Sequence, residues 1–265
     1  MDVDHHTHHR RCGHAVGEIE EYIQAALALG FAEIGITDHA PVYWMEGDHA
    51  LPGIAMARSE LAAYVEEVLA LKERYAGRIR VLLGLESDYV PGFDDLYREV
   101  LTTYPFDYVI GSVHHCAGRH IYNASRWNDE DPNETFPEYF RLIRESAQSG
   151  LFDVLGHITG LMAYGPKLSR ELLESEFAAT AEAVAEAGVA IEVNSSGLRK
   201  VTGEPFPAGA LLRRCLEAGV PVTYGSDCHR PEEVGYAREQ AAKLLEGSHR
   251  WRPEPVARVR QMVRA

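Results

Sequence analysis

The sequence predicts one α/β domain, a closed barrel of the (β/α)8 type that is one strand short of the usual eight. Three observations carry this. Short apolar runs alternate with helix-period segments seven times along the chain. Nearly every apolar run is followed by a cluster of acids and histidines, and side chains from the same ends of many strands converge most easily when the strands are parallel. No linker divides the 265 residues into two units. A doubly wound open sheet is the runner-up. It collects ligands at one switch point, whereas here nearly every strand contributes.

Residues 1–6 read as a short strand. Residues 17–29 form an amphipathic helix with Ile19, Tyr22, Ile23, Ala26 and Leu27 on one face, and Gly30 ends it. A strand over 32–37 leads into a loop bearing Pro and Gly over 41–52. A long helix over 55–75 precedes a strand over 78–85. A helix over 94–103 and a strand over 108–113 follow. Residues 117–133 are rich in Asn, Asp and Arg and read as a long loop, a feature that is often functional in a compact domain. The pattern continues as helix 136–149, strand 152–155, helix 169–187 with Ser169 as its N-cap, and strand 189–193. It closes as helix 207–218, strand 221–224 and helices over 232–245 and 255–263.

Hydrophobic content of 46% and charged content of 25% are ordinary globular values, so neither disorder nor a membrane protein is indicated. A net charge of -14 with no basic run argues against nucleic acid as a partner. No apolar stretch approaches the roughly 20 residues of a membrane span, so no membrane partner is expected. The four cysteines (Cys12, Cys116, Cys215 and Cys228) are scattered and form no disulfide framework. With no basic, apolar leader at the N-terminus, a cytoplasmic location is expected.

Five of thirteen histidines lie within the first fourteen residues. An expression tag would be a homopolymer. Here Thr7 interrupts the run, which leads straight into structured sequence. In His6-Thr7-His8, strand alternation puts both rings on one face, where they can share a metal. His5 and His9 then read as surface or packing residues. Asp227 and His229 repeat the spacing at the last strand, which a closed barrel brings beside the first. Imidazole and carboxylate without cysteine pairs is the donor set of a catalytic divalent-metal centre.

Glu86 ends an apolar run. Locally it is simply the first solvated residue. Among the other clusters it reads as a carboxylate that bridges two cations. His114 and His157 end strands and read equally as ligands or as buried, satisfied histidines. Glu192 and Asn194 flank Val193 and fit substrate contacts, supports for ligands or plain strand-end polarity. His49, His120 and His249 read as surface residues, and Cys12 and Cys228 as packing.

Taken together these residues resemble the polymerase and histidinol phosphatase (PHP) superfamily. The likeness is carried by His6-Thr7-His8, Cys12-Gly13-His14-Ala15, Thr37-Asp38-His39-Ala40, Gly84-Leu85-Glu86, Ile110-Gly111-Ser112-Val113-His114, Leu155-Gly156-His157 and Ser226-Asp227-Cys228-His229. The run from Glu192 to Lys200 is similar to the histidinol-phosphatase branch. The resemblance implies a distorted seven-stranded barrel holding three divalent ions (Zn, Fe or Mn). It implies one ion on His6, His8, Glu86 and Asp227, a second on Glu86, His114 and His157, and a third on His14, His39 and His229. It further implies a metal-dependent phosphomonoesterase acting on a small-molecule phosphate ester, L-histidinol phosphate. The segment Ile158-Thr159-Gly160-Leu161 departs from the branch in lacking charged residues.

For that chemistry Arg199 is a candidate phosphate clamp, since guanidinium presents a fork of donors to phosphate oxygens; a solvated loop arginine is the alternative. Asp38 and His115 adjoin ligands and are candidates for the acid that protonates the leaving oxygen, or for orienting groups. Glu46, Asp48 or Glu192 would receive the ammonium or imidazole of the substrate. The competing readings are a phosphoesterase acting on a sugar or nucleotide phosphate, a nuclease, a zinc amidohydrolase and a non-enzymatic metal-binding protein.

Overall fold

Period-two alternation sorts the strand side chains into three apolar clusters. A computed structural model describes residues 1–51, 54–207 and 209–253. Its parallel strands are β1 (Val3–Asp4), β2 (Glu33–Ile36), β3 (Arg80–Leu83), β4 (Glu86–Asp88) and β5 (Ile110–Ser112). A small antiparallel hairpin, β6 (His115–Cys116) and β7 (Arg119–His120), precedes β8 (Val154–Leu155), β9 (Ala190–Asn194) and β10 (Val222–Gly225). The strand orders are β1-β2-β3 and β10-β9-β8-β5-β4. The predicted strand over 78–85 is therefore interrupted. It ends at Leu83 and resumes as β4, and the break hands the pairing from β2 to β5. Gly84 sits in the gap because a Cβ there would run into Thr37 and the carbonyl of Ile36.

Backbone bonds from His5 to Tyr224 and from His8 to Cys228 link the last strand back to the first, so the strands form a distorted seven-position barrel. Val81 and Leu83 point outward against α1 (Ile19–Ala28), α2 (Leu61–Arg74) and α3 (Asp94–Thr103). Ile191, Val193, Val222 and Tyr224 point outward against α4 (Pro132–Gln148), α5 (Arg170–Ala187), α6 (Gly209–Glu217) and α7 (Arg238–Leu244). Leu82, Tyr108, Ile110, Val154 and Ala190 point inward and fill the barrel, with Trp251 packed against them. In the same register Glu192 and Asn194 also face inward, and both are fully buried.

The helices begin where capping chemistry allows. Ser169 accepts the N–H of Leu172 and opens α5, as predicted. α4 starts earlier than predicted, at Pro132, because Asp131 caps it and Pro fits the first turn. α2 starts later, after a 3-10 turn over Arg58–Glu60. The helix predicted over 232–245 is broken. Its first part is a 3-10 turn, Pro231–Glu233, and α7 begins at Arg238. Gly235 between them has φ +71° and gives its N–H to Asp4. The helix predicted over 255–263 lies outside the described residues. The stretch read as a loop over 117–133 contains half of the β6–β7 hairpin and a 3-10 turn, Ala124–Asn128. It is pinned by the fully buried guanidinium of Arg126, which bonds the carbonyls of Cys116 and His120 and the carboxylate of Glu130.

Candidate metal centre

All nine residues expected as ligands meet at the C-terminal ends of the strands. Neighbouring rings stand close: His6 and His8 at 4.9 Å, His8 and His39 at 4.2 Å, His8 and His229 at 4.4 Å, and His114 and His157 at 4.9 Å between centroids. Glu86 lies among them. Its Oε2 is 3.5 Å from Nε2 of His6 and of His8, and its Oε1 is 3.5 Å from Nε2 of His114 and 2.9 Å from Nε2 of His157. Oδ1 of Asp227 is 3.2 Å from Nε2 of His8 and 3.9 Å from Nε2 of His6. His14 and His229 approach to 2.8 Å between their Nε2 atoms. His39 instead turns Nδ1 toward Oε2 of Glu86, at 2.8 Å, so the set His14, His39 and His229 does not close on one point.

Five of the rings, His6, His8, His14, His114 and His229, share one orientation. Nδ1 of His6 faces Oε2 of Glu192 at 2.8 Å, that of His8 faces Asp38 at 3.4 Å, and that of His114 faces Asp88 at 2.5 Å. Nδ1 of His14 and of His229 donates to the carbonyls of Cys12 and Asp227. An imidazole whose Nδ1–H is taken in this way presents a lone pair on Nε2. Nε2 of His6, Nε2 of His8 and Oε2 of Glu86 are buried and have no hydrogen-bond partner. Such atoms cost about 1–3 kcal/mol each unless something satisfies them. A divalent cation among donors spaced this way does so, and the residues fit one.

Charge agrees with this role. Burial opposes ionisation of Glu86 and Asp227, but the surrounding histidines outweigh it and hold both well below the usual carboxylate range. Burial likewise opposes charging of His8, yet Asp227, Asp38 and Glu86 lift it to about 9. His114 is raised to about 9 by Asp88 and Glu86 against the same opposition. Burial and neighbouring His39 and His8 lower His14 to about 4. The two carboxylates and the lowered His14 are in the forms that bind metals, while a cation would have to displace the protons of His8 and His114. The backbone bends to build the site: His157 and Asp227 have positive φ, +26° and +51°.

A cavity of about 400 Å³ opens above this cluster. Arg199, Lys200 and Ser196 form one wall, Val42, Ile54 and Ala55 another, and Asp88, His120 and Tyr122 a third. Arg199 bonds the carbonyls of Ser226 and Asp227 through Nη2 and lies over the ring of Tyr236.

Several expected roles change with these positions. Glu192 and Asn194 do not line the cavity. Glu192 lies beneath it, bound to His6, to the backbone N–H of His157 and to Asn194. Asn194 donates to Asp227. Both contact residues expected as ligands and stay out of the cavity, because strand alternation turns them into the barrel. Asp38 is fully buried behind His8 and His9, and their imidazoles keep it ionised against its burial, so it has no proton to give a leaving group. His115 stands at the rim, edge-on to Trp44 and His120. Glu46 and Asp48 are exposed outside the cavity, and Asp48 accepts the N–H of Ser59. His120, read as a surface residue, is half-buried and stacks on His114. Asp88, Tyr122 and Lys200 were not singled out. The Glu86-x-Asp88 spacing carried the same signal as His6-x-His8.

A PHP domain profile matches residues 4–196. The chain belongs to the PHP domain family. A relative from Deinococcus radiodurans named probable histidinol-phosphatase is 36% identical, over 91% of this chain and 92% of that one. The histidinol-phosphatase of Bacillus subtilis is 30% identical, over 89% of this chain and 96% of that one. The solved histidinol phosphate phosphatase of Lactococcus lactis superposes with a TM-score of 0.78 at 22% identity, covering 95% of this chain and 96% of that one. That structure was determined as a complex with zinc, L-histidinol and phosphate.

Proposed function

We propose that this PHP domain hydrolyses L-histidinol phosphate to L-histidinol and phosphate, as a cytoplasmic enzyme of histidine biosynthesis. One observation carries the reading most. Imidazoles with their Nδ1–H groups occupied gather their Nε2 atoms around the buried Glu86 carboxylate, at the floor of a cavity with two cationic residues on its wall. The two relatives of 30–36% identity, matched over most of their length, support the substrate.

His6, His8, Glu86 and Asp227 would hold one divalent ion, Glu86, His114 and His157 a second, and His14, His39 and His229 a third. Zinc is the leading candidate, with Fe and Mn equally suited to the donors. Such ions supply a water that ionises near neutral pH and positive charge that offsets the phosphoryl oxygens. Glu192, Asp88 and Asp38 keep the imidazoles in register by holding their Nδ1–H groups. Arg199 uses Nη2 to grip the backbone at Ser226 and Asp227, which leaves its remaining N–H groups for a phosphate. Lys200, 4.7 Å above the ring of Tyr122, adds a second positive charge to the same wall. Val42, Ile54 and Ala55 add apolar surface to the lining of the same cavity.

Phosphate release from histidinol phosphate and from a panel of sugar and nucleotide monoesters tests the reading, with zinc-loaded protein and with chelator. The expected result is chelator-sensitive release with strong preference for histidinol phosphate. Preference for another ester would replace the substrate and keep the chemistry.

A further inference from the structure

The carboxylate behind His8 is itself held by a chain of donors that reaches α2. Oδ1 of Asp38 accepts from Nδ1 of His8 and from the backbone N–H of His39 at 2.9 Å. Its Oδ2 lies 2.6 Å from Nδ1 of His9, an ion-pair contact off hydrogen-bond geometry, and neither atom has a hydrogen-bond partner. Nε2 of His9 lies 3.0 Å from Nη1 of Arg11. Nη2 of Arg11 lies 2.6 Å from Glu67 on α2. His8, Asp38 and His9 are fully buried, and the Arg11 side chain is only 10% exposed.

The direction of every bond in this chain follows from its outer end. A guanidinium donates and cannot accept. Nε2 of His9 must therefore accept, which leaves the proton of the neutral ring on Nδ1, pointed at Asp38. Asp38 receives that N–H, stays a carboxylate, and its other oxygen takes the Nδ1–H of His8. Nε2 of His8 is then the atom left for a cation. With the opposite tautomer of His9, two lone pairs would face each other across 2.6 Å, and Asp38 would turn away from His8.

We propose that Arg11, anchored by Glu67, is a positioning residue that fixes the tautomer of His9 and so aims His8 at its metal. This rests on the reading of His8 as a metal ligand. It assigns a role to His9 and Arg11 that packing alone does not require, since packing is indifferent to which ring nitrogen carries the proton.

The test has two arms. Apo protein is titrated with zinc in competition with a chromophoric chelator, for the wild type, Arg11→Leu and Arg11→Lys. Removal of a group that supports a ligand typically weakens metal binding by about tenfold or more. Arg11→Leu is expected to weaken one zinc by about tenfold, and Arg11→Lys to restore most of it, because an ammonium also only donates. In the second arm, ¹⁵N imidazole shifts of the zinc-loaded wild type report the His9 tautomer, and this arm stands even where Arg11→Leu fails to fold. Protonation at Nδ1 is expected. Protonation at Nε2, or equal zinc affinity in wild type and Arg11→Leu, overturns the proposal while leaving the metal site intact. A wild type that binds no zinc overturns the metal site itself.

Discussion

Three histidines of the centre are useful because of what holds their other nitrogen. Glu192 holds His6, Asp88 holds His114 and Asp38 holds His8. Removing His6 and His8 together, as His6→Ala with His8→Ala, deletes two donors at once. Turnover is expected to fall by more than the roughly 100-fold that loss of a supporting group can cost. Bound metal should drop by one ion per chain while circular dichroism stays near wild type. Unchanged turnover would sink the assignment of this ion. The apo protein should also show a definite pH response. His8 and His114 are raised to about 9, so their favourable contacts with carboxylates are fully present below about 6.5 and are lost as pH rises through 9. Apo stability should fall over that window. Zinc must displace the same protons, so its affinity should rise over it, by roughly tenfold per pH unit for each proton displaced. Calorimetry in buffers of different ionisation enthalpy counts those protons, and a value of zero would contradict the pairing.

At the scale of elements, the β6–β7 hairpin shows what sequence reasoning reads poorly. His115 pairs with His120 and Cys116 with Arg119, leaving Ala117-Gly118 as a two-residue turn with φ +50° and +73°. Such turns favour Asn-Gly or Asp-Gly. Alanine gives no such signal, so residues 117–133 looked like loop and His120 like surface. Ala117→Asn is expected to stabilise the fold by about 0.5–1 kcal/mol, read as a raised urea midpoint at unchanged slope. A lowered midpoint would show that the turn tolerates alanine for another reason. The strands and the acid and histidine residues gathered at their ends were legible because apolar runs and His-x-His spacing are local patterns. The inward placement of Glu192 and Asn194 was not, because strand-end polarity looks alike whether it meets substrate, ligand or water. The interruption between β3 and β4 was hidden for a similar reason. Gly84 reveals its purpose only when Thr37 and Ile36 are seen beside it.

For the whole molecule, the centre joins otherwise separate strands at one end of the barrel. Cations bound there stabilise the folded state by mass action. At free zinc about 100 times the dissociation constant, one site contributes about 2.7 kcal/mol. For a chain of this size that is a rise of about 5–10 °C in Tm, which a chelator should remove. A Tm insensitive to chelator would mean that the donors hold no ion. The sequence foretold the joining of first and last strands from the matching pairs at residues 6 and 8 and at 227 and 229, and the bonds from His5 to Tyr224 and from His8 to Cys228 supply it. That joining also sets a clock. His14 and His229 touch across 215 positions of sequence. At the usual 5–20 residues per second, a ribosome needs roughly ten to forty seconds to make the stretch between them. The growing chain therefore displays His6, His8 and His14 long before Asp227 and His229 exist, and the two proposed sites that use those last residues could fill only when synthesis is nearly finished.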